Sequence, residues 1–262
     1  MRVIITGGTG LIGRALTNSL ANDGHELIIL SRQPDRYKGQ ITNANLVAWD
    51  GKTAVSWQHL ADGADAIVNL AGASIASGRW TPTRKQLIRQ SRVQAGQAIT
   101  QAITAATQKP RVVIQASAVG YYGPCGHETI TEDSPVGHDF LANVCQEWEE
   151  STAVLETMGV RRAIIRTGIV LSLAGGALPR LVLPYRLFIG GPLGNGRQYM
   201  PWIHIADEIR AIRFLIEQEN ASGPFNLTAP VPLTNREFGQ VLGKVMKRPS
   251  LLPVPAFALR LL

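Results

Sequence analysis

Three glycines, Gly7, Gly10 and Gly13, stand at even spacing between an apolar run, Arg2–Thr6, and a helical pattern that opens at Arg14. A strand turning sharply into a helix leaves the first helical N–H groups unpaired and aimed at one point. That point binds anions, above all the pyrophosphate of a dinucleotide. Glycine lets the backbone turn tightly and lets a phosphate approach it. The spacing is G-x-x-G-x-x-G rather than G-x-G-x-x-G, so its strand-to-helix setting carries the reading. A second group is of a different kind. Ser117 ends another apolar strand, and Tyr121 and Tyr122 follow it in one loop. A hydroxyl and two phenols there suit hydrogen bonding and proton transfer to a carbonyl or hydroxyl compound. Arg79-Trp80 and Arg197-Gln198 lie in loops expected to cover the substrate, where arginine suits a phosphate or carboxylate. His204, in Trp202-Ile203-His204-Ile205-Ala206-Asp207, reads as a loop brace more readily than a proton carrier.

The elements that must position these groups follow from the pattern. Strands are expected at Arg2–Thr6, His25–Leu30, Leu46–Asp50, Ala66–Leu70, Arg111–Ser117 and Val160–Arg166. They are short, continuous apolar runs, the kind buried on both faces of a parallel sheet. A short helix is expected near Trp57–Ala61. A long one runs from about Thr83 to Thr107 with Ile88, Ala95, Ile99 and Ala102 on one face. Leu141, Val144, Cys145, Trp148, Thr152 and Leu155 form the stripe of the next. The alternation predicts an α/β fold, a Rossmann-like doubly wound parallel sheet with a smaller substrate lobe. The sheet domain is expected over residues 1–170 and 202–228, and the lobe over 171–201 and 229–262. From Gly168 the pattern loosens into loop-rich sequence. Ile205, Ile209, Ile212 and Ile216 then stripe a helix, Phe225–Leu227 reads as a short strand, and Thr234–Met246 as a helix with a Thr234/Glu237 capping box.

The chain has 262 residues, 45% apolar and 17% charged, which are globular values. No apolar run reaches membrane-span length; the uncharged stretch 167–179 is broken by glycines and a proline. The N-terminus lacks a signal-peptide pattern, so cytoplasmic residence is the expectation. Cys125 and Cys145 give no disulfide framework and stand at no metal spacing with histidine. The net charge of +7 is spread along the chain without a basic block or stacking aromatics. It predicts a solvated basic surface with a few anion contacts, and no nucleic-acid or membrane partner.

These residues resemble the extended short-chain dehydrogenase/reductase superfamily, the branch of nucleotide-sugar epimerases and dehydratases. The resemblance rests on Thr6–Gly13, Asn69-Leu70-Ala71-Gly72, Ser117 through Gly123, Ile130–Pro135, Arg166-Thr167-Gly168 and Trp202–Asp207, in that order over nearly the whole chain. Gly78-Arg79-Trp80, Cys145–Glu149 and Gly190–Gly194 are most similar to the atypical branch labelled epimerase family protein. Pro253–Arg260 resembles the opening of that branch's C-terminal domain. The apolar end, Phe257, Leu259, Leu261 and Leu262, gives the expectation that the element continues beyond it. The superfamily implies a catalytic Tyr-x-x-x-Lys with a glutamate four residues on. Setting Glu149 as that glutamate places Leu141 at the tyrosine and Cys145 at the lysine, so the dyad is missing.

The resemblance implies a nicotinamide dinucleotide held by Gly7, Gly10, Leu11, Ile12, Gly13, Asp50, Leu70, Ala71 and Gly72. At the end of the second strand an acid would bond a ribose 2′-hydroxyl. Ser31 and Arg32 stand there instead, with Arg14 near, which predicts NADP(H) over NAD(H). Two functions are expected. One is an oxidoreductase or epimerase acting on a small, anionic or nucleotide-linked carbonyl or hydroxyl compound, with Tyr121 or Tyr122 replacing the lost acid and Ser117 as its hydrogen-bond partner. The other is a dinucleotide-binding regulator without turnover. Either is expected as a monomer or homodimer, with no metal.

Overall fold

The computed structural model describes residues 1–253; the terminal residues on which the expected continuation rests lie outside them. The chain divides into two units, Met1–Arg166 with Glu208–Asn226, and Thr167–Asp207 with the chain from Leu227 onward. The expected boundaries fell at 170, 202 and 228.

The first unit is built on a seven-stranded sheet. Its strands are β1 (Arg2–Thr6), β2 (Glu26–Ser31), β3 (Asn45–Ala48), β4 (Ala66–Asn69), β5 (Val112–Ala118), β6 (Arg161–Thr167) and, later in the chain, a strand at Gly223–Leu227. The spatial order is β3-β2-β1-β4-β5-β6 and then the Gly223–Leu227 strand, and the registers β3 to β5 are parallel. Helices α1 (Leu11–Asn22), α2 (Pro34–Tyr37), α3 (Pro82–Ala105) and α4 (Phe140–Glu150) connect them. Order reverses between β1 and β4, and the loops there open at the carboxyl ends of the strands, where doubly wound sheets bind ligands. Ile88, Ala95, Ile99 and Ala102 are all fully buried on one side of α3. They pack with Ile4, Ile67, Val113 and Trp57 in one core cluster.

Three readings of local structure need correction. The third strand stops at Ala48, because Asp50 turns the chain through hydrogen bonds to Lys52 N–H and Thr53 N–H, both 2.8 Å. The expected short helix is a 3₁₀ turn at Gln58–Leu60. The stripe through Leu155 spans two elements: α4 ends at Glu150, and Leu155 is buried from a 3₁₀ segment, Ala153–Met158.

In the second unit, β7 (Ile169–Ser172) pairs with β8 (Gly175–Gly176) and with a strand at Trp202–His204. The elements after β8 in chain order are α5 (Leu178–Arg186), β9 (Tyr199–Met200), β10 (the Trp202–His204 strand), α6 (Ile205–Glu217), β11 (the Gly223–Leu227 strand), β12 (Leu233–Thr234) and α7 (Asn235–Met246), of which most of α6 and β11 belong to the first unit. Helix α5 was read as loop because of its prolines. Pro179 sits in its first turn, where no N–H is needed, and Val182 and Tyr185 are buried on one face. Thr234 caps α7, with Glu237 closing the box from both sides.

Candidate functional site

The glycine loop has the geometry its spacing requires. Gly7 has φ +68°, and a Cβ there would lie 2.5 Å from the Leu70 carbonyl oxygen. Only glycine fits, and β1 is thereby held against the β4 loop. Gly13 is buried; a Cβ on it would meet the Gly7 carbonyl at 2.4 Å. Its role is close packing of α1 on the loop. Gly10 caps α1 with no side-chain hydrogen bond to the first turn, and helix N-termini of this kind offer their first N–H groups to an anion.

Beneath the site runs a polar ladder that the sequence reading missed. Thr6, Asn69 and Gln115 sit at one register level on β1, β4 and β5, all fully buried. Thr6 Oγ1 donates to Asn69 Oδ1 at 2.7 Å, and Asn69 Nδ2 to Gln115 Oε1 at 3.0 Å. Thr6 Oγ1 also accepts the Ala71 N–H at 3.2 Å. The ladder closes its own hydrogen bonds and fixes the exit of β4. Its signal was a polar residue interrupting each of three apolar strands.

A cleft of about 600 Å³ opens over this loop, lined by Gly7, Gly10, Ser31, Arg32, Leu70, Ala71 and Gly72 among others. Arg36 and Lys52 also line it, which sequence reasoning did not identify. A rigid turn places Lys52. Asp50 Oδ1 accepts from Lys52 and Thr53 N–H, and Oδ2 accepts the Thr53 hydroxyl at 2.8 Å. The Thr53 carbonyl accepts both indole N–H groups of Trp49 and Trp57, at 2.8 and 3.1 Å. Desolvation pushes the Asp50 carboxyl up, but the three bonds from Lys52 and Thr53 and the Lys52 charge together hold it below its usual value. Asp50 therefore lines the cleft with its carboxylate committed to the turn. Gly51 has φ +82°, and the Arg32 Cδ lies 3.5 Å from where its Cβ would be, so Arg32 crosses the turn beside Lys52. Arg14 is bound to the Thr9 carbonyl at 2.9 Å and sits over the Tyr37 ring, 5.3 Å from its centroid.

The candidate catalytic residues separate. Ser117 is buried and donates to Glu149 Oε1 at 2.6 Å. Tyr122 is buried as well; its hydroxyl donates to Asn226 Oδ1 at 2.7 Å and accepts from Arg166 Nη1 at 2.9 Å. Burial pushes the Tyr122 phenol up, and Arg166 only partly offsets it. Both hydroxyls are hydrogen-bonded to protein partners, where the sequence led to Tyr121 or Tyr122 as proton donor and Ser117 as its hydrogen-bond partner. Tyr121 is half-buried, with the Arg166 guanidinium carbon 3.6 Å from its ring centroid. Arg166 forms a buried two-pronged pair with Glu149, Nε to Oε1 and Nη2 to Oε2, both 3.0 Å. Leu141 and Cys145, which the sequence alignment on Glu149 sets at the expected dyad positions, face Gly120, whose Cβ would lie 3.6 Å from Leu141 Cβ and 3.9 Å from the Cys145 sulfur. Burial pushes the Cys145 thiol up to about 11.

Trp80 packs edge-on against Phe140 at 5.7 Å and donates its indole N–H to the Ile75 carbonyl, which folds the Arg79 loop onto itself. In the second unit, Arg197 is exposed, its N–H held by Asn195 Oδ1 at 2.9 Å. The exposed His204 accepts the Ala206 N–H at its Nδ1, 3.3 Å, bracing the first turn of α6.

Among the described residues no helix is long and apolar enough to cross a membrane. A family model described as NAD dependent epimerase/dehydratase matches residues 3–143. The chain is 41% identical over 260 residues to the epimerase family protein YfhF of Bacillus subtilis, covering 99% of this chain and 84% of that one. An epimerase family protein of Staphylococcus aureus is also 41% identical, over 261 residues, with 99% and 85% covered. Among solved structures, the human epimerase family protein SDR39U1 (isoform 2) with NADPH superposes with a TM-score of 0.87 at 35% identity, covering 100% of this chain and 85% of that one. A nucleoside-diphosphate sugar epimerase from Corynebacterium glutamicum gives 0.77 at 37%, covering 100% and 54%. With a seven-stranded Rossmann-like sheet, a glycine loop at its switch point and relatives alike over almost its whole length, the chain belongs to the NAD-dependent epimerase/dehydratase family.

Proposed function

We propose that this chain is an NADP(H)-dependent oxidoreductase or epimerase-like enzyme acting on an anionic, small or nucleotide-linked compound with a reacting carbonyl or hydroxyl. The observation that carries the cofactor reading is the rim of the cleft. Arg32, Arg36 and Lys52 face it, and its one carboxylate, Asp50, is tied into a turn. A 2′-phosphate suits that rim, and a ribose hydroxyl seeking an acid does not. The human relative was solved with NADPH, which supports the same choice. The backbone of Gly10–Gly13 would hold the pyrophosphate, and Leu70–Gly72 would line the path beyond it. When bound, the nicotinamide supplies hydride transfer.

The chain's own contribution is the proton. Ser117 and Tyr122 are committed, so Tyr121 is the phenol left to give or take it. Arg79 and Arg197, each exposed in its own unit, suit an anionic substrate. The regulator reading keeps one specific support: Leu141 and Cys145 form an apolar floor where the superfamily has its dyad.

Titration with NADPH and NADH, followed by a panel of carbonyl compounds read through nicotinamide absorbance, tests both parts. Tyr121→Phe is expected to lower turnover by about 10²–10⁴ with cofactor affinity unchanged. Tyr122→Phe is expected to lower the melting temperature first. Full activity in both variants and in the double would place the donor elsewhere. Tight NADPH binding with no turnover on any compound would favour the regulator.

A further inference from the structure

The superfamily's lysine lies on α4, and this chain has buried Cys145 there. The same unit nevertheless holds a cation in contact with the loop after β5. We infer that Arg166 is the positioning residue of this site: seated on the Tyr121 ring from β6, its guanidinium is the fixed cation that α4 no longer offers. The inference rests on Tyr121 being the proton donor.

The geometry leaves the guanidinium little freedom. Nε–H and Nη2–H take the two oxygens of Glu149, while Nη1 donates to Tyr122 Oη and to the Glu132 carbonyl, both 2.9 Å. Four of the five N–H donors of an arginine are thereby used, in one plane. Glu149 is held in turn by the Ser117 hydroxyl at 2.6 Å. Tyr122 and Asn226 close the far side, and the Asn226 N–H donates to Glu132 Oε1 at 2.8 Å. Burial works against the charge on Arg166, and its hydrogen bonds and electrostatic contacts with Glu149 and Tyr122 together more than restore it. What the fork leaves open is its flat face, and Tyr121 lies on that face at 3.6 Å. A lysine could not do this. It has no planar fork to grip Glu149 and Tyr122 together while stacking on a ring. Ser117, Tyr122 and Glu149 therefore serve through Arg166, by fixing the plane on which Tyr121 rests.

The test uses protein labelled with [¹³Cζ]tyrosine, whose five ring signals are assigned by single Tyr→Phe changes. Two variants are compared with the unmutated chain after a melting curve shows each is folded: Arg166→Lys, which keeps the charge and loses the fork, and Glu149→Gln, which keeps the shape and loses the partner's charge. Expected is a shift or broadening of the Tyr121 signal in both, with Tyr37 and Tyr199 unmoved and the NADPH dissociation constant unchanged. Once a substrate is in hand, kcat should fall on the order of 100-fold, as for a misplaced reacting group, with KM held. A Tyr121 signal that stays put in either folded variant overturns the inference, whatever the activity. If the signal moves while Tyr121→Phe keeps full turnover, the positioning stands and the proton-donor reading falls.

Discussion

The proposed NADPH preference is where the structure gives a magnitude to work with. In Arg32→Asp the side chain beside the Gly51-Lys52 turn loses a cation and gains an anion. Removing one charge-assisted contact to a phosphate costs about 1.5–3 kcal/mol. Arg32 is exposed, so the lower end applies, and Arg32→Ala should weaken NADPH roughly tenfold. The added carboxylate repels a group of nearly two negative charges. At about 4 Å in a water-like medium that adds roughly 1 kcal/mol per charge. The aspartate should therefore weaken NADPH on the order of 100-fold or more and leave NADH almost untouched, erasing the preference. Lys52→Ala should cost NADPH about as much as Arg32→Ala. The double change should cost less than the sum, because the two side chains share one turn.

Two controls separate this from a general loss of affinity. The preference should shrink with added salt, since the rim is exposed and screened. It should also shrink as pH falls through about 6, where a phosphate monoester takes up its second proton. Fluorescence titration of the reduced cofactors gives every constant needed. Equal dissociation constants for NADPH and NADH in the unmutated protein would refute the reasoning, and so would an Arg32→Asp variant with an unchanged ratio.

Other outcomes follow from single positions. Gly7→Ala and Gly24→Ala both force a side chain into left-handed backbone, costing about 1–2 kcal/mol, but only Gly7 meets an obstacle, Leu70's carbonyl, while nothing lies within 4 Å of Gly24. The melting temperature should drop further for Gly7→Ala, and equal drops would contradict the close approach of β1 to the β4 loop. Thr234→Ala removes the cap of α7 and should cost about 1 kcal/mol in a urea titration; no change would mean the box contributes nothing. In the native protein at pH 9, iodoacetamide should label exposed Cys125 and spare Cys145, whose buried thiol, at about 11, stays protonated. Labelling of both before denaturant is added would contradict that burial.

Most of the sheet was legible because its signal is local. Val3-Ile4-Ile5 and Ile67-Val68 are continuous apolar runs, and a parallel strand covered on both faces must be one. The glycine loop was legible for the same reason: a φ of +68° at Gly7 is written into one residue type. Helix α5 was not, because its two prolines imitate a loop and its evidence, Val182 and Tyr185 buried on one side, needs the neighbours it packs against. Lys52 escaped for a related reason. Its place depends on Asp50 and on two tryptophans that share the Thr53 carbonyl, and no spacing rule announces such a turn.

The candidate catalytic cluster shows the same limit from the other side. Sequence reasoning singled out Ser117, Tyr121 and Tyr122, used Glu149 only to locate the dyad positions, and noted Arg166 only as part of a motif. It could rank the hydroxyls by residue type and by loop, but not by what each already bonds. Partners decide the matter here. Ser117 and Tyr122 have the right groups and spend them on Glu149, Asn226 and Arg166, from α4, β11 and β6. These are contacts at sequence separations of 32, 104 and 44 residues. The absence of the lysine that the resemblance places on α4 reads in sequence as a lost charge. In the fold the Arg166 guanidinium from β6 reaches Tyr121 in the loop after β5, and Leu141 and Cys145 pack beside Gly120. Restoring the dyad by Leu141→Tyr with Cys145→Lys would accordingly bury an ammonium within the reach of Arg166's own network. That change should destabilise the protein, because the ammonium would be buried beside the Arg92 cation while Glu149, the neighbouring carboxylate, is already paired with Arg166.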